Sequence, residues 1–267
     1  MKKRTNRWVY VSAIGVLIFA LLFVYRLDIM FAFQRMRLNR LGCTADKRVA
    51  ISASIDVLPV CEKLWAHRVN GTERMMYLKD YFSGLETDVV FDGAINNFRV
   101  YHPPAAPSAL LLDEYFKQFR VGNKGLWIDV KGVDRADYKK AVEYFMVCDS
   151  LYNIKNYVII EAAMTPFINL LAEKGFITSY YVPVTFLLPE TPDGVTDSLR
   201  QQLSPAVKFV SQEDIYLSAL RSRFQNRKII TWALSFKNYL DLSHIKTLIN
   251  DTSISVVLIN CKSKGYL

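Results

Sequence analysis

Residues 84–91 read Gly84-Leu85-Glu86-Thr87-Asp88-Val89-Val90-Phe91, and residues 126–131 read Leu126-Trp127-Ile128-Asp129-Val130-Lys131. Successive side chains of a strand point to opposite faces, so Glu86 and Asp88 share one face, and so do Asp129 and Lys131. Two carboxylates this close inside an apolar run repel each other and resist burial unless a cation lies between them. The chain has only three histidines, and two of them flank these stretches. His67, followed by Arg68, closes one short apolar run, and His102 closes another. Four successive strands would then deliver His67, Glu86 with Asp88, His102, and Asp129 with Lys131 to one rim.

A rim of this kind is what a barrel provides, because barrel enzymes carry their chemistry at the C-terminal ends of the strands. Working outward, β-rich runs are expected at 63–69, 84–91, 98–102, 126–131, 157–162, 179–186, 228–234 and 253–260. Amphipathic helical patterns lie between many of them, at 110–119, 135–148, 166–174, 212–225 and 242–250. This alternation predicts an irregular (β/α)8 TIM-type barrel preceded by one N-terminal transmembrane helix. The irregularity falls between Asp92 and Asn97, where the connection is too short for a helix and rich in turn formers. Residues 189–197 read as a surface loop. The expected division is a basic N-terminus and membrane anchor over 1–26, a juxtamembrane connector over 27–60, and the barrel over 61–267.

Residues 8–25 carry no charge, at the lower length limit for crossing a bilayer. Lys2, Lys3, Arg4 and Arg7 precede this run and Arg26 follows it. No small-x-small cleavage site comes after, so an uncleaved single-pass anchor is expected. The early basic cluster favours a cytoplasmic N-terminus and an extracytoplasmic barrel, although Arg26, Arg35, Arg37 and Arg40 pull the other way. The mixed Met, Phe and Arg residues of 27–41 either extend the helix or lie along an anionic surface. Much of the net charge of +9 sits before residue 49, so it speaks for a membrane surface. No aromatic-basic repeat suggests nucleic acid. Cys43, Cys61, Cys148 and Cys261 have no zinc-type spacing. Cys43 and Cys61 either pair in an oxidising compartment or stay as buried thiols. The sequons at Asn70 and Asn250 read as chance.

Glu86, Asp88 and Asp129 are hard oxygen donors suited to Mg²⁺ or Ca²⁺. His67 and His102 suit general acid and base work around a phosphate. Arg68 can grip a phosphate oxygen in a forked contact or simply face solvent. Lys131 can neutralise a leaving phosphate or bridge to Asp129. Trp232 can wall a substrate pocket or belong to the core. Together these residues suit metal-assisted cleavage of a phosphodiester. Two other readings stay open: a catalytically inactive barrel serving as an envelope scaffold or binding protein, and a glycoside hydrolase using paired acids.

The order His-Arg, Glu-x-Asp, His, acidic-x-Lys resembles the glycerophosphodiester phosphodiesterase superfamily of phospholipase-C-like barrels. The run Ile230-Thr231-Trp232-Ala233-Leu234 is similar to that family's penultimate strand, and Ser255 to Ile259 to its last. The likeness covers about residues 61–260. It implies a divalent ion on Glu86, Asp88 and Asp129, proton transfer by His67 and His102, and a phosphoric diester hydrolase or lyase. Within the superfamily, His67-Arg68-Val69-Asn70, Tyr101-His102-Pro103-Pro104, Ser108 and the 124–131 stretch look most like the menorin branch. The enzymes usually have Gly where Val69 stands, Asp where Pro103 stands, and Glu where Asp129 stands. The last change shortens a ligand arm by roughly 1 Å, enough to alter metal geometry.

Overall fold

The computed structural model describes residues 3–41, 43, 54–119, 124–233 and 242–261. Leu234, Lys2 and connector residues 42 and 44–53, Arg48 among them, lie outside the described residues. Eight parallel strands close into a TIM-type barrel: β1 (Leu64–Ala66), β2 (Gly84–Asp92), β4 (Gly125–Gly132), β5 (Val158–Ala162), β6 (Ile177–Tyr181), β7 (Phe209–Glu213), β8 (Lys228–Ala233) and β9 (Ile254–Ile259). Closure is made by β1, whose Trp65 is in register with Gly84 on one side and with Leu258 on the other.

The strand β3 (Asn97–Val100) is not a barrel strand, contrary to the expectation for 98–102. It runs antiparallel to β2, with Asp92 opposite Asn97 and Val89 opposite Val100. The turn-forming residues after Asp92 make a hairpin that rises above the rim and returns. The expected helix at 212–225 is also corrected. Its first residues belong to β7, a short turn follows at Asp214–Tyr216, and the helix begins only at Leu217. The 179–186 strand ends at Tyr181, and residues 189–197 contain the start of a helix, Asp193–Gln202.

Inward positions alternate along every strand. Trp65, Trp127, Ile159, Phe209, Ile230, Val256 and Leu258 fill the lumen, and Ile55 and Leu58 join this cluster from the segment before β1. A Cβ on Gly84 would sit 2.2 Å from the Trp65 indole, so only glycine lets that ring cross the lumen. A second apolar layer lies between the strands and the helices α3 (Thr72–Leu78), α4 (Leu112–Phe119), α5 (Tyr138–Tyr152), α6 (Thr165–Glu173), α7 (Asp193–Gln202), α8 (Leu217–Arg223) and α9 (Leu242–Asn250). Local signals set their ends. Pro166 opens α6, and Asn153 closes α5 in the left-handed conformation.

Among the described residues two α-helices precede the barrel, α1 (Lys3–Val24) and α2 (Arg26–Asn39). Residues 10–26 are exposed. Among the described residues no single helix is long and apolar enough to cross a membrane. Tyr10–Val24 and Arg26–Asn39 meet that criterion only as a pair, bent by 63°. The connector is not free of the barrel body. Phe31 and Leu38 are buried in the outer core, and the Phe31 ring lies 5.1 Å from both Tyr77 and Tyr81. Cys43 and Cys61 form a disulfide, which decides between the two expectations for them. Cys148 and Cys261 are buried free thiols.

Candidate active site

The mouth of the barrel holds a cavity of about 290 Å³ lined by His67, Arg68, Asp88, His102, Asp129, Lys131, Tyr181 and Trp232, among others. Glu86 adjoins it from one inward position below Asp88. All eight residues picked out from the sequence therefore meet at one end of the barrel. Three barrel strands deliver most of them. His102 arrives by another route, on the returning arm of the β2–β3 hairpin, which brings it back to the level of Asp88.

One oxygen each from Glu86, Asp88 and Asp129 can be chosen so that all lie within 4.8 Å of one another. Strand register explains this, since Asp88 and Asp129 are direct partners and Glu86 precedes Asp88 on the same face. Glu86 Oε1 is buried without a hydrogen-bond partner, while Oε2 accepts the Arg68 backbone N–H at 2.6 Å. An orphaned buried carboxylate oxygen beside two more carboxylates is what a cation would satisfy. Lys131 caps Asp129 and reaches to 3.6 Å from Asp88, supplying one of the positive charges this cluster requires.

Electrostatics follow the same logic. Burial, then the charge of Asp88, pushes Glu86 well above the ordinary carboxylate range. Burial also pushes Asp129 up to about 6, against the pull of Lys131. For Lys131 burial alone would lower the pKa, but Asp129 and Asp88 outweigh it and raise it. His67 is held down at about 4, chiefly by burial. Its Nδ1 meets Asn260 Oδ1 at 2.8 Å, which makes Nδ1 the protonated nitrogen and leaves Nε2 toward Glu86 at 3.6 Å. His102 is more exposed, with Nε2 3.9 Å from Asp88 and 3.4 Å from the Arg68 guanidinium.

The supporting shell was missed by sequence reasoning. Asn70 donates to Asp88 Oδ2 at 2.8 Å and accepts the Asp88 backbone N–H at 2.8 Å, so its amide is occupied in orienting a carboxylate. Buried Arg74 ties the carbonyls of His67 and Cys261 together, and Tyr115 pins the Val69 carbonyl. Arg68 itself adopts φ 55°, a left-handed conformation that costs a non-glycine residue about 1–3 kcal/mol. That backbone turn aims its N–H at Glu86. Glu161 is level with Asp129 on the next strand and wholly buried. Its oxygens lie near the Ser179 and Ser211 hydroxyls without a well-formed hydrogen bond, and burial, then Asp129, raises its pKa strongly. A lone acid in the run Val158-Ile159-Ile160-Glu161 was the available signal. Trp232 serves both expectations: it packs on the lumen cluster and stacks on Tyr181 at 5.9 Å in the cavity wall.

No protein-family model matches this chain, and no curated protein does. Solved structures do match in shape. A glycerophosphodiester phosphodiesterase from Parabacteroides distasonis superposes with a TM-score of 0.56 at 14% identity, covering 74% of this chain and 92% of that one. A phosphodiesterase from Oleispira antarctica, solved with the product sn-glycerol-3-phosphate, gives 0.53 at 10% identity, with 74% and 92% covered. The chain thus has the barrel fold of the glycerophosphodiester phosphodiesterases, and its acidic cluster could bind a metal ion.

Proposed function

We propose that this chain is a membrane-anchored, cation-dependent phosphodiesterase acting on a glycerophosphodiester-like substrate. The observation that carries the reading is a cavity lined by Asp88, Asp129 and two histidines, with Glu86 adjoining it so that the three carboxylates lie within cation-binding reach of each other. A divalent cation, Mg²⁺ or Ca²⁺, held by Glu86, Asp88 and Asp129 would supply positive charge to the phosphate oxygens. Arg68 and Lys131 grip the remaining non-bridging oxygens. His67, neutral at pH 7, takes the proton of the attacking hydroxyl through Nε2. His102 gives a proton to the departing alcohol oxygen. With water as nucleophile, one P–O bond forms and one breaks, leaving a phosphomonoester and a free alcohol.

The inactive-scaffold reading is disfavoured by the cluster itself, because a chain released from catalysis has no reason to keep an unpartnered buried Glu86 oxygen. A glycosidase needs carboxyl groups about 5 Å or more apart across the scissile bond, and this trio is packed more tightly on one side. Asn70 holding Asp88 gives the menorin-like His67-Arg68-Val69-Asn70 run a physical role, and we read the chain as nearest that branch. The apolar run of residues 8–25 supports a single-pass anchor. The early basic cluster and the Cys43–Cys61 disulfide support a cytoplasmic N-terminus with the barrel outside.

Turnover tests the proposal. The full chain should release p-nitrophenol from bis(p-nitrophenyl) phosphate, lose that activity when stripped with chelator, and regain it with Mg²⁺ or Ca²⁺. Activity indifferent to the chelator would remove the cation from the account, and no turnover under any supply of cation would leave the scaffold reading.

A further inference from the structure

Helix α2 is docked along the barrel in a direction that can be read from its partners. Its C-terminal end leads to Cys43, bonded to Cys61 three residues before β1, and therefore lies at the base. Its other contacts fall in order along α3 and the turn after it. Tyr77 Oη donates to Asp28 Oδ1 at 3.4 Å, Phe31 touches both Tyr77 and Tyr81, and the Arg35 guanidinium sits 4.6 Å over the Tyr81 ring. Helix α3 descends from the mouth, where Gly71 follows the His67 loop, to the base, where residue 83 enters β2. Rising contacts on α2 therefore match rising positions from Tyr77 near the end of α3 to Tyr81 in the turn below it, and the two helices run the same way. The strut is about 21 Å long at 1.5 Å per residue, comparable to the barrel wall. Its N-terminus, where the exposed apolar helix α1 joins, is therefore the end directed toward the mouth, above the level at which Asp28 meets Tyr77.

The rim at that end carries exposed apolar residues of its own. Ile95 tips the β2–β3 hairpin, Ile215 follows β7 with 64% of its surface exposed, and residues 103–107 (Pro-Pro-Ala-Ala-Pro) are all exposed beside His102. Such residues alone would not orient the molecule, since Val57 and Val60 are exposed at the base. The strut decides it. A cavity of about 290 Å³ holds a phosphate and the alcohol beside it, so acyl chains must stay outside, where a bilayer would keep them.

We infer that the mouth of the barrel faces the bilayer and takes the phosphodiester of a membrane lipid, with the headgroup drawn into the cavity while the acyl chains remain in the membrane. This rests on the anchored-phosphodiesterase reading above and narrows it to a lipid-borne substrate. Water attacks the lipid phosphorus to form one P–O bond, the P–O bond to the diacylglycerol breaks, and the diacylglycerol takes the proton and stays in the bilayer while the headgroup phosphomonoester leaves.

The test uses the full chain reconstituted in vesicles of phosphatidylcholine, phosphatidylethanolamine and phosphatidylglycerol. Nitroxides attached at Ala105→Cys on the rim and at Asn250→Cys at the end of α9 report depth. The rim label should contact lipid and the Asn250 label should stay in water. Phosphomonoester should be released from vesicle lipid, and Phe31→Ala, which loosens the strut, should lower lipid turnover about tenfold while leaving bis(p-nitrophenyl) phosphate turnover unchanged. Soluble diester turnover without lipid turnover, or a deeper label at Asn250 than at Ala105, overturns the inference while sparing the proposed activity. Failure of the chain to float with vesicles, or of both substrates to react, overturns it together with the reading on which it rests.

Discussion

Glu86→Gln is expected to lower phosphodiester turnover by about a thousandfold, several kcal/mol of transition-state stabilisation, while leaving the barrel folded. The substitution keeps volume and can still accept the Arg68 N–H through its carbonyl oxygen, so the left-handed turn at Arg68 survives. It removes the charge on a fully buried member of the carboxylate cluster. Thermal unfolding should be unchanged or slightly raised, since a buried carboxylate repelled by Asp88 and Asp129 is costly in the absence of a cation. Steady-state rates and a melting curve on the same preparation check both halves. Full activity in the variant would remove Glu86 from the site.

The second large effect separates the histidines. His67→Ala should cost about 10²–10⁴ in rate on every diester, because the attacking hydroxyl always needs a base. His102→Ala should cost as much on a substrate whose leaving group is glycerol, and far less on bis(p-nitrophenyl) phosphate, because nitrophenolate departs without a proton. The assignment rests on His67 being buried, neutral and bonded through Nδ1 to Asn260. Equal losses for both variants on both substrates would reject it.

The site was legible because its chemistry is written in strand alternation. Glu86 with Asp88 and Asp129 with Lys131 declare a common face without any knowledge of partners. Their convergence required only that the strands be parallel neighbours, as the barrel makes them. The supporting residues were not legible for the converse reason. Asn70 acts across 18 residues on Asp88, and Asn260 across 193 on His67, and an asparagine at a strand end carries no mark of its partner.

The barrel itself was legible in outline, with eight strands expected and eight found, but the tally hid two errors of opposite sign. Residues 98–102 alternate like a barrel strand, and alternation cannot tell a parallel neighbour from a hairpin arm. Only the short Asp92–Asn97 connection pointed to the irregularity. β7 was missed, and its last two residues were read into the following helix, because its inward positions are Phe209, Ser211 and Glu213, a polar pair that breaks the apolar run. The true helix follows within four residues. The docking of α2 was equally hidden. Phe31, Gln34 and Leu38 form a stripe at helical spacing, but nothing in that stripe names Tyr77 and Tyr81 as its cover.

The central claim is that three carboxylates at one barrel mouth hold a cation that the chemistry requires. Calorimetric titration of Mg²⁺ and of Ca²⁺ into the metal-free full chain measures this directly. The account predicts saturable binding of one of these ions at the Glu86, Asp88 and Asp129 cluster, lost in Glu86→Gln. An absence of binding in the unsubstituted chain, or binding of equal strength in the variant, would contradict it.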